Sequence, residues 1–483
     1  MKNISIWDEY QKSITNKELK NIETDILIIG AGITGLSAAY FLKDTNYKIT
    51  IIDKGKVGRG ITAKTTAKIS YLQQDIYQKL TKDHNERIAK EYYDSQKNAI
   101  KLLTEIIKNN HISCDLTKVK SILFTNDESN LPKLQKEKDI LSSYGVNIND
   151  YHNNEIKHGF SVDDTYTFNP IKYLNGLIDL ISSKVSIYEN VIANNIDKQD
   201  DKYIVYTNKG RIKTKKIILA CHYPFFIIPY LFPARTYIER EYVCAAKAAK
   251  TKKETIINID KKLYSLRYYQ DYIIYGSHDH RLTSKIDYAN NYKESKNDFI
   301  KYFHKEPEYM WMNQDIVSND EIPLIGELKD NIYISTAYNA WGMTNATIGA
   351  KLISDLIQDK ENKYERLFNP KRINIPLIIN SIIGLFHYLK VYIEGLFHKN
   401  NPHYVKIKGI IYGIYTDEFG KEHKVKLICP HMKCSLVFNK EEKTWDCPCH
   451  GSRFDIDGNI ITPPAVKKIW LFHNLYSYSH KID

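Results

Sequence analysis

The stretch from residue 24 to residue 53 leaves this chain little freedom. Thr24-Asp25-Ile26-Leu27-Ile28-Ile29 is an apolar, β-rich run that ends at Gly30. Gly30-Ala31-Gly32-Ile33-Thr34-Gly35 is a G-x-G-x-x-G turn, and Leu36 to Leu42 continue with helical composition. Lys48-Ile49-Thr50-Ile51-Ile52-Asp53 is a second strand closed by an acid. Strand, glycine turn, helix, strand and acid in that order form a dinucleotide fingerprint. Gly30 is expected at the tight turn, Gly32 where backbone meets a pyrophosphate, and Gly35 where helix and strand pack closely. The helix N-terminus at Ile33 and Thr34 faces the phosphates, and Asp53 is placed to bond ribose hydroxyls.

The fingerprint alone does not choose between FAD and NAD. After Asp53 and Lys54 comes Gly58-Arg59-Gly60-Ile61-Thr62-Ala63-Lys64-Thr65-Thr66-Ala67-Lys68-Ile69-Ser70. It offers small residues, hydroxyls and backbone N–H groups suited to a pyrophosphate and a flavin edge, with Arg59, Gly60, Thr65 and Thr66 as candidate contacts. Glu189-Asn190-Val191 ends a strand where Val191 would hold adenine, and Ile217-Ile218-Leu219-Ala220-Cys221-His222-Tyr223-Pro224 runs from a buried strand into a loop at Ala220. Trp341-Gly342-Met343-Thr344 precedes a helix expected from about Ala346 to Ile357. This late block resembles the flavin-binding segment of the D-amino-acid oxidase/glycine oxidase-like FAD superfamily. The resemblance implies FAD, with Gly342, Met343 and Thr344 against the ring. In that superfamily a strand Arg and Tyr often bind the substrate carboxylate, which points to Arg267 and Tyr269 here. A surface ion pair is the alternative for Arg267, and a structural histidine the alternative to a flavin-site role for His278.

A second signature lies near the C-terminus. Cys429-Pro430-His431 and Cys447-Pro448-Cys449-His450 give a Cys-x-His pair and a Cys-x-x-His pair with a fifteen-residue gap. Two thiolates and two imidazoles suit a zinc site or a [2Fe–2S] cluster with mixed ligation. Zinc fingers usually group Cys with Cys, whereas each pair here is mixed. The pattern resembles a Rieske centre. That resemblance makes Cys429, His431, Cys447 and His450 the ligands, pairs Cys434 with Cys449 in a disulfide, and assigns Pro463-Pro464-Ala465 to a loop over the cluster. Ser452 takes the place of a hydroxyl that bonds a bridging sulfide, and Phe454 stands where high-potential members have Tyr. A potential in the middle of the roughly −150 to +300 mV Rieske range is expected.

The expected fold is an α/β (α+β) FAD-binding Rossmann-like domain with an antiparallel-sheet substrate domain, followed by a small all-β Rieske domain. Residues 1–365 form the flavoprotein, with nucleotide segments at about 20–75, 185–230 and 318–360 and substrate segments at about 76–184 and 231–317. Residues 366–403 form a linker helix, and 404–483 the Rieske domain. The 483 residues can bury a large core. The +12 formal charge is spread along the chain, which fits a solvated surface or an acidic partner such as a ferredoxin or flavodoxin. No nucleic-acid motif is present. Cys114, Cys221 and Cys244 are scattered, unlike a secreted disulfide framework. The first ten residues lack an apolar signal core, so a cytoplasmic location is expected. Residues 373–389 contain no Asp, Glu, Lys or Arg but include Asn374, Pro376, Asn380 and His387. A helix packed between the two domains is the favoured reading of this segment, and membrane contact through about 373–397 the alternative.

Together these features imply a flavin-dependent dehydrogenase. It would oxidise an amine or amino-acid-like small molecule at FAD and pass electrons singly through the cluster to an external acceptor. Inward flow from a protein donor, with the flavin reducing a substrate, is one alternative. A redox sensor or carrier without turnover is another. A Rieske oxygenase is disfavoured because no run of carboxylate and two histidines for a separate iron is found.

Overall fold

The computed structural model describes residues 2–10, 12, 18–224, 232–283, 285–396, 404–407 and 410–469. The last part of the expected linker (397–403) and the C-terminal 470–483 lie outside the described residues. The fingerprint folds as its pattern dictates. Ile26–Ile29 is a fully buried strand, Ile33–Leu42 a helix, and Ile49–Ile52 the next parallel strand. The six-stranded sheet runs in the order Leu324–Lys329, Ile332–Thr336, Lys216–Leu219, Ile26–Ile29, Ile49–Ile52, Val185–Tyr188, parallel except at its first pair. Strands this apolar need cover on both faces. The Ile33–Leu42 and Gly342–Ile357 helices pack together against the sheet. A Cβ on Gly35 would sit 1.9 Å from the Gly30 carbonyl oxygen, so only glycine lets helix and turn approach this closely.

The second layer is a nine-stranded sheet whose main path runs Tyr309–Ser318, Thr236–Lys247, Tyr272–Arg281, Tyr264–Tyr269, Glu254–Asn258, Thr117–Thr125, His158–Thr167, Lys68–Ile69. It departs from the expected antiparallel sheet in one pairing, since Glu254–Asn258 lies parallel to Thr117–Thr125. Helices Glu86–Asn109 and Pro170–Ile181 flank the core.

The C-terminal region holds two small antiparallel sheets. One is Tyr404–Ile407, Ile410–Thr416 and Glu422–Lys426; the other is Val437–Asn439, Thr444–Asp446, Arg453–Asp455 and Ile460–Thr462. Their core centres on Trp445, Phe454, Leu427 and Leu436. The Ile375–Leu396 helix joins the two halves. Val391 enters the C-terminal core, while Asn380 Nδ2 donates to the Asn319 carbonyl at 2.7 Å and Tyr388 Oη to the Thr236 carbonyl at 2.6 Å. The helix touches both domains, along a narrow seam. Its remaining faces are exposed and apolar.

Candidate flavin groove and iron–sulfur site

The two cluster loops are tight turns that close on themselves. Cys429 N–H donates to the Cys434 carbonyl at 2.9 Å, and Cys447 N–H to the Ser452 carbonyl at 2.7 Å. The Cys434–Cys449 disulfide ties one loop to the other. Those two sulfurs lie near Cys447 but are consumed by their mutual bond. Cys429 and Cys447 remain as free, buried thiols. The His431 and His450 rings lie 5.1 Å apart, and Nδ1 of each is buried without a protein partner. Buried polar atoms are almost always paired, so two orphaned imidazole nitrogens beside two free thiols fit a metal cluster. Burial pushes the His431 imidazole down to about 4 and His450 to about 3, which keeps both neutral as ligands must be. Ser452 Oγ accepts from the Ala465 N–H at 3.0 Å, leaving its own proton free to donate. Phe454 is fully buried and offers no donor.

The flavin groove is a cavity of about 710 Å³. Gly30, Gly32, Ile33, Thr34, Asp53, Lys54, Arg59, Gly60, Thr65, Val191, Ala220, Gly342 and Met343 all line it. Gly30 adopts φ +113°, and a Cβ there would meet the Ala220 carbonyl at 2.3 Å, so the floor is backbone. Asp53 braces the turn by accepting from the Ala31 and Gly55 N–H groups, each at 2.8 Å. His222 also lines the groove, and its Nε2 is buried without a partner. A glycine floor, a helix N-terminus, a ribose-side acid and an orphaned imidazole fit an FAD. Gly35 serves helix–strand packing, as expected, and does not itself line the groove. Two expected contacts fall elsewhere: Thr344 turns into the core toward the Trp341 carbonyl, and Thr66 lines a neighbouring cavity.

That neighbouring cavity, about 310 Å³, shares Thr65, Asn313, Asp315, Ala340, Gly342 and Met343 with the groove. Its wall is acidic. Glu239 and Glu241 alternate on the Thr236–Lys247 strand, where Glu239 pairs with Asp315 and Glu241 with Asn313 across the sheet. Asp75, Asp260, Asp279 and Glu321 also line the cavity, with Lys68, Lys79, Lys133 and Arg240 as cations, and Asp75 is paired with Lys79 and Lys133. Burial, reinforced by Asp279, Glu321 and Asp315, pushes the Glu239 carboxyl up to about 7. Burial alone pushes Asp315 up to about 6. Burial raises Glu241 and lowers Lys68, which face one another.

The residues carried over for substrate binding are not on this wall. Arg267 is buried, and its Nη1 donates to the carbonyls of Thr66, Ala67 and Phe168 at 2.7–3.1 Å. It braces the loop beside the flavin groove and has no carboxylate to clamp. Tyr269 Oη donates to Asp115 at 2.7 Å, against Trp7 and outside the cavity. His278 bonds Asp298 at 2.7 Å, on the same Tyr288–Phe303 helix that Ser277 meets through Ser295, while Asp279 lines the cavity. Arg267 shares a strand face with cavity-lining Ser265 but lies two residues further along, and at His278 a register shift and a φ of +56° interrupt strand alternation.

Nothing in the sequence hints that the C-terminal domain roofs the groove. Glu442, Lys443, Thr444, Arg453, Ile461, Thr462, Pro463 and Ala465 line it from above, and Lys54 Nζ donates to the Ile461 carbonyl. The far face of the acidic strands forms the dock. Arg240 Nη1 donates to Asp446 at 2.6 Å, with both side chains fully buried. Arg240 also donates twice to Gln314 Oε1, and Gln314 Nε2 donates to the Gly451 carbonyl at 3.1 Å. The His450 ring stacks on Tyr388 at 4.9 Å and meets Tyr223 edge-on at 6.0 Å. His450 therefore faces the flavoprotein, whereas His431 is only half-buried beside the exposed Met432.

A dinucleotide groove roofed by a domain with two free thiols and two orphaned imidazoles defines a flavoprotein oxidoreductase with a built-in one-electron centre. The family model described as FAD dependent oxidoreductase matches residues 25–356, and the Rieske [2Fe-2S] domain model matches residues 388–478. The chain belongs to the FAD-dependent oxidoreductases and carries a Rieske domain; its cofactors are FAD and a [2Fe–2S] cluster. The Rieske match begins inside the joining helix, just before Val391. The chain is 31% identical over 475 residues, 93% of each chain, to YhfW of Bacillus subtilis (strain 168), which is assigned by name to the Rieske 2Fe-2S iron-sulfur proteins. It is 19% identical to gamma-glutamylputrescine oxidoreductase of Escherichia coli (strain K12), over 72% of this chain and 87% of that protein. The fold matches glycine oxidase from Geobacillus kaustophilus with a TM-score of 0.62 at 13% identity, over 73% of this chain and all of that one.

Proposed function

We propose that this protein dehydrogenates a cationic amine at the flavin and releases the electrons singly, through the Rieske centre, to an external acceptor. The observation that carries this reading is the wall of Glu239, Glu241, Asp279, Asp315 and Glu321 in the cavity that opens onto the groove. Seven carboxylates line this cavity against Lys68, Lys79, Lys133 and Arg240, an acidic excess that suits an ammonium ion, and Arg267, the arginine carried over as a carboxylate clamp, is spent on backbone carbonyls. The E. coli relative, named for an acylated putrescine, is in keeping with an amine.

When bound, FAD supplies the two-electron chemistry and the cluster the one-electron exchange. Removing hydride from a carbon next to nitrogen needs the nitrogen lone pair, so the ammonium must first lose a proton. Glu239, held at about 7, is matched to accept that proton near neutral pH. Asp315 and Asn313 sit where cavity and groove meet and orient the amine toward the flavin end. The C-terminal residues cover one side of the groove. His450 is the ligand turned toward the flavoprotein and His431 the ligand turned toward solvent, which suits exit to a soluble or surface-bound acceptor.

The test is anaerobic. Iron-loaded protein is mixed with short aliphatic diamines, and separately with glycine and proline, while flavin absorbance is followed and samples are frozen for EPR. Diamines should bleach the flavin and the reduced-cluster signal should follow. Bleaching by the amino acids alone would overturn the amine reading. Reduction of cluster and then flavin by a reduced ferredoxin, with no compound bleaching, would overturn the direction.

A further inference from the structure

The Ile375–Leu396 helix holds an unpartnered surface. Of the sixteen large hydrophobic side chains exposed among the described residues, eleven lie between Ile373 and Ile393. Ile375, Leu385 and Phe386 are 73%, 60% and 68% exposed. The protein side of the helix is a single seam. Leu377, Gly384 and Val391 are buried, and Tyr388 lies on the same line, at the spacing of one helical face. The polar residues that weigh against a membrane in the sequence are used on this side. Asn374 Nδ2 donates to Asp320 at 2.8 Å, Asn380 bonds the Asn319 carbonyl, and His387 meets the Leu282 carbonyl at 3.2 Å. Asn380 and Lys390 are exposed as well, and what otherwise remains outward among the described residues is a mostly aliphatic surface.

We infer that this helix seats the protein on a lipid bilayer, lying flat in the interface rather than crossing it. Its length and apolarity equal those of a crossing helix, but the seam and its polar pins fix it along the protein surface. The chemistry of the face selects lipid over a second copy of the chain. Nine of the eleven exposed side chains are Ile or Leu, whereas protein interfaces draw on Tyr, Trp and Arg anchors with hydrogen bonds between them. Exposed Lys390 and Tyr392 near one end, partly exposed Lys371 near the other, and a net charge of +12 complement an anionic headgroup layer. A surface of this size is far larger than the scattered apolar residues normal on a soluble protein. Because Tyr388 of the same helix stacks on His450, docking brings the cluster side of the molecule to the membrane.

The test is flotation of the holoprotein with phosphatidylcholine vesicles containing phosphatidylglycerol. The wild type should float with the vesicles. The double variant Ile379→Glu/Phe386→Glu, both outward, should lose vesicle binding by about tenfold or more while keeping its FAD and its cluster EPR signal. If that variant fails to fold, Phe386→Trp serves instead, and its added fluorescence should be quenched by brominated acyl chains. Wild type that stays with the soluble fraction, a double variant that floats as well as wild type, or added fluorescence in Phe386→Trp untouched by the brominated lipid would each overturn the inference. So would a wild-type dimer in sedimentation that the double variant converts to monomer, since a second copy would then cover the face.

Discussion

Replacing Arg240 with Met should loosen the Rieske domain and, through it, the flavin. Arg240 and Asp446 are fully buried and joined at 2.6 Å, and Arg240 gives Gln314 Oε1 two further hydrogen bonds. Removing one partner of a buried pair typically costs about 3–5 kcal/mol. Asp446 keeps a second cation, Arg453 at 3.2 Å, and the Thr444 hydroxyl at 2.8 Å, which moves the expected cost to the lower end. The stranded Gln314 carbonyl oxygen adds about 1 kcal/mol. A total of about 4 kcal/mol falls on the dock between the domains and leaves both cores intact. The assay is a thermal melt read twice, by visible circular dichroism of the cluster and by fluorescence of released FAD. Both midpoints should fall together, because C-terminal residues form the roof of the groove. Arg240→Lys should recover little, since one ammonium cannot serve Asp446 and Gln314 in the same fork geometry. Midpoints unchanged in Arg240→Met, or a cluster transition that falls while FAD release does not, would refute the docking argument.

Replacing His431 or His450 with Ala should abolish the Rieske EPR signal and leave FAD stoichiometry near wild type, because neither residue lines the groove; a retained signal in both variants would remove them from the ligand set. Glu239→Gln should separate chemistry from stability. Because burial and like charges raise the folded-state carboxyl above its ordinary 4.5, the folded protein holds a proton there that the unfolded chain gives up between that value and about 7. The ionised group therefore costs stability as pH rises through this window, and the Gln variant should gain up to about 3 kcal/mol at pH 8, less where water reaches the cavity. Amine-driven flavin reduction should lose its rise through about pH 7 in the same variant, checked by stopped-flow pH profiles; an unchanged profile would assign the base elsewhere.

The two cofactor sites could be read from short segments. Gly30 to Gly35 and the Cys429 and Cys447 loops place backbone and ligand atoms within a few residues of one another, so a nucleotide turn and a metal-ligand set are legible locally, whereas FAD over NAD and a cluster over zinc followed from family resemblance. The substrate side was not legible in that way. Arg267 lies on an alternating strand, but the pattern does not say which layer its side would meet, and the sheet turned it onto the Thr66 and Ala67 carbonyls. Glu239 and Glu241 read in sequence as the polar face of a strand; only pairing with the distant Tyr309–Ser318 strand, which carries Asp315, makes them one wall of a cavity. In the joining helix, Asn374, Asn380 and His387 read as polar interruptions until packing shows that each bonds the protein, Asn374 and His387 half-buried and Asn380 from an exposed position, which leaves the outer surface mostly apolar.

The nucleotide turn and the cluster's ligand pairs were written in the order of residues, because each is a contiguous turn or a pair of short loops. The closing of the cluster domain over the flavin groove, and the acidic cavity beside it, came from tertiary packing. Those features rest on contacts such as Arg240 to Asp446, 206 positions apart. Partners that distant are chosen by the packing of whole sheets, and no local spacing records the choice.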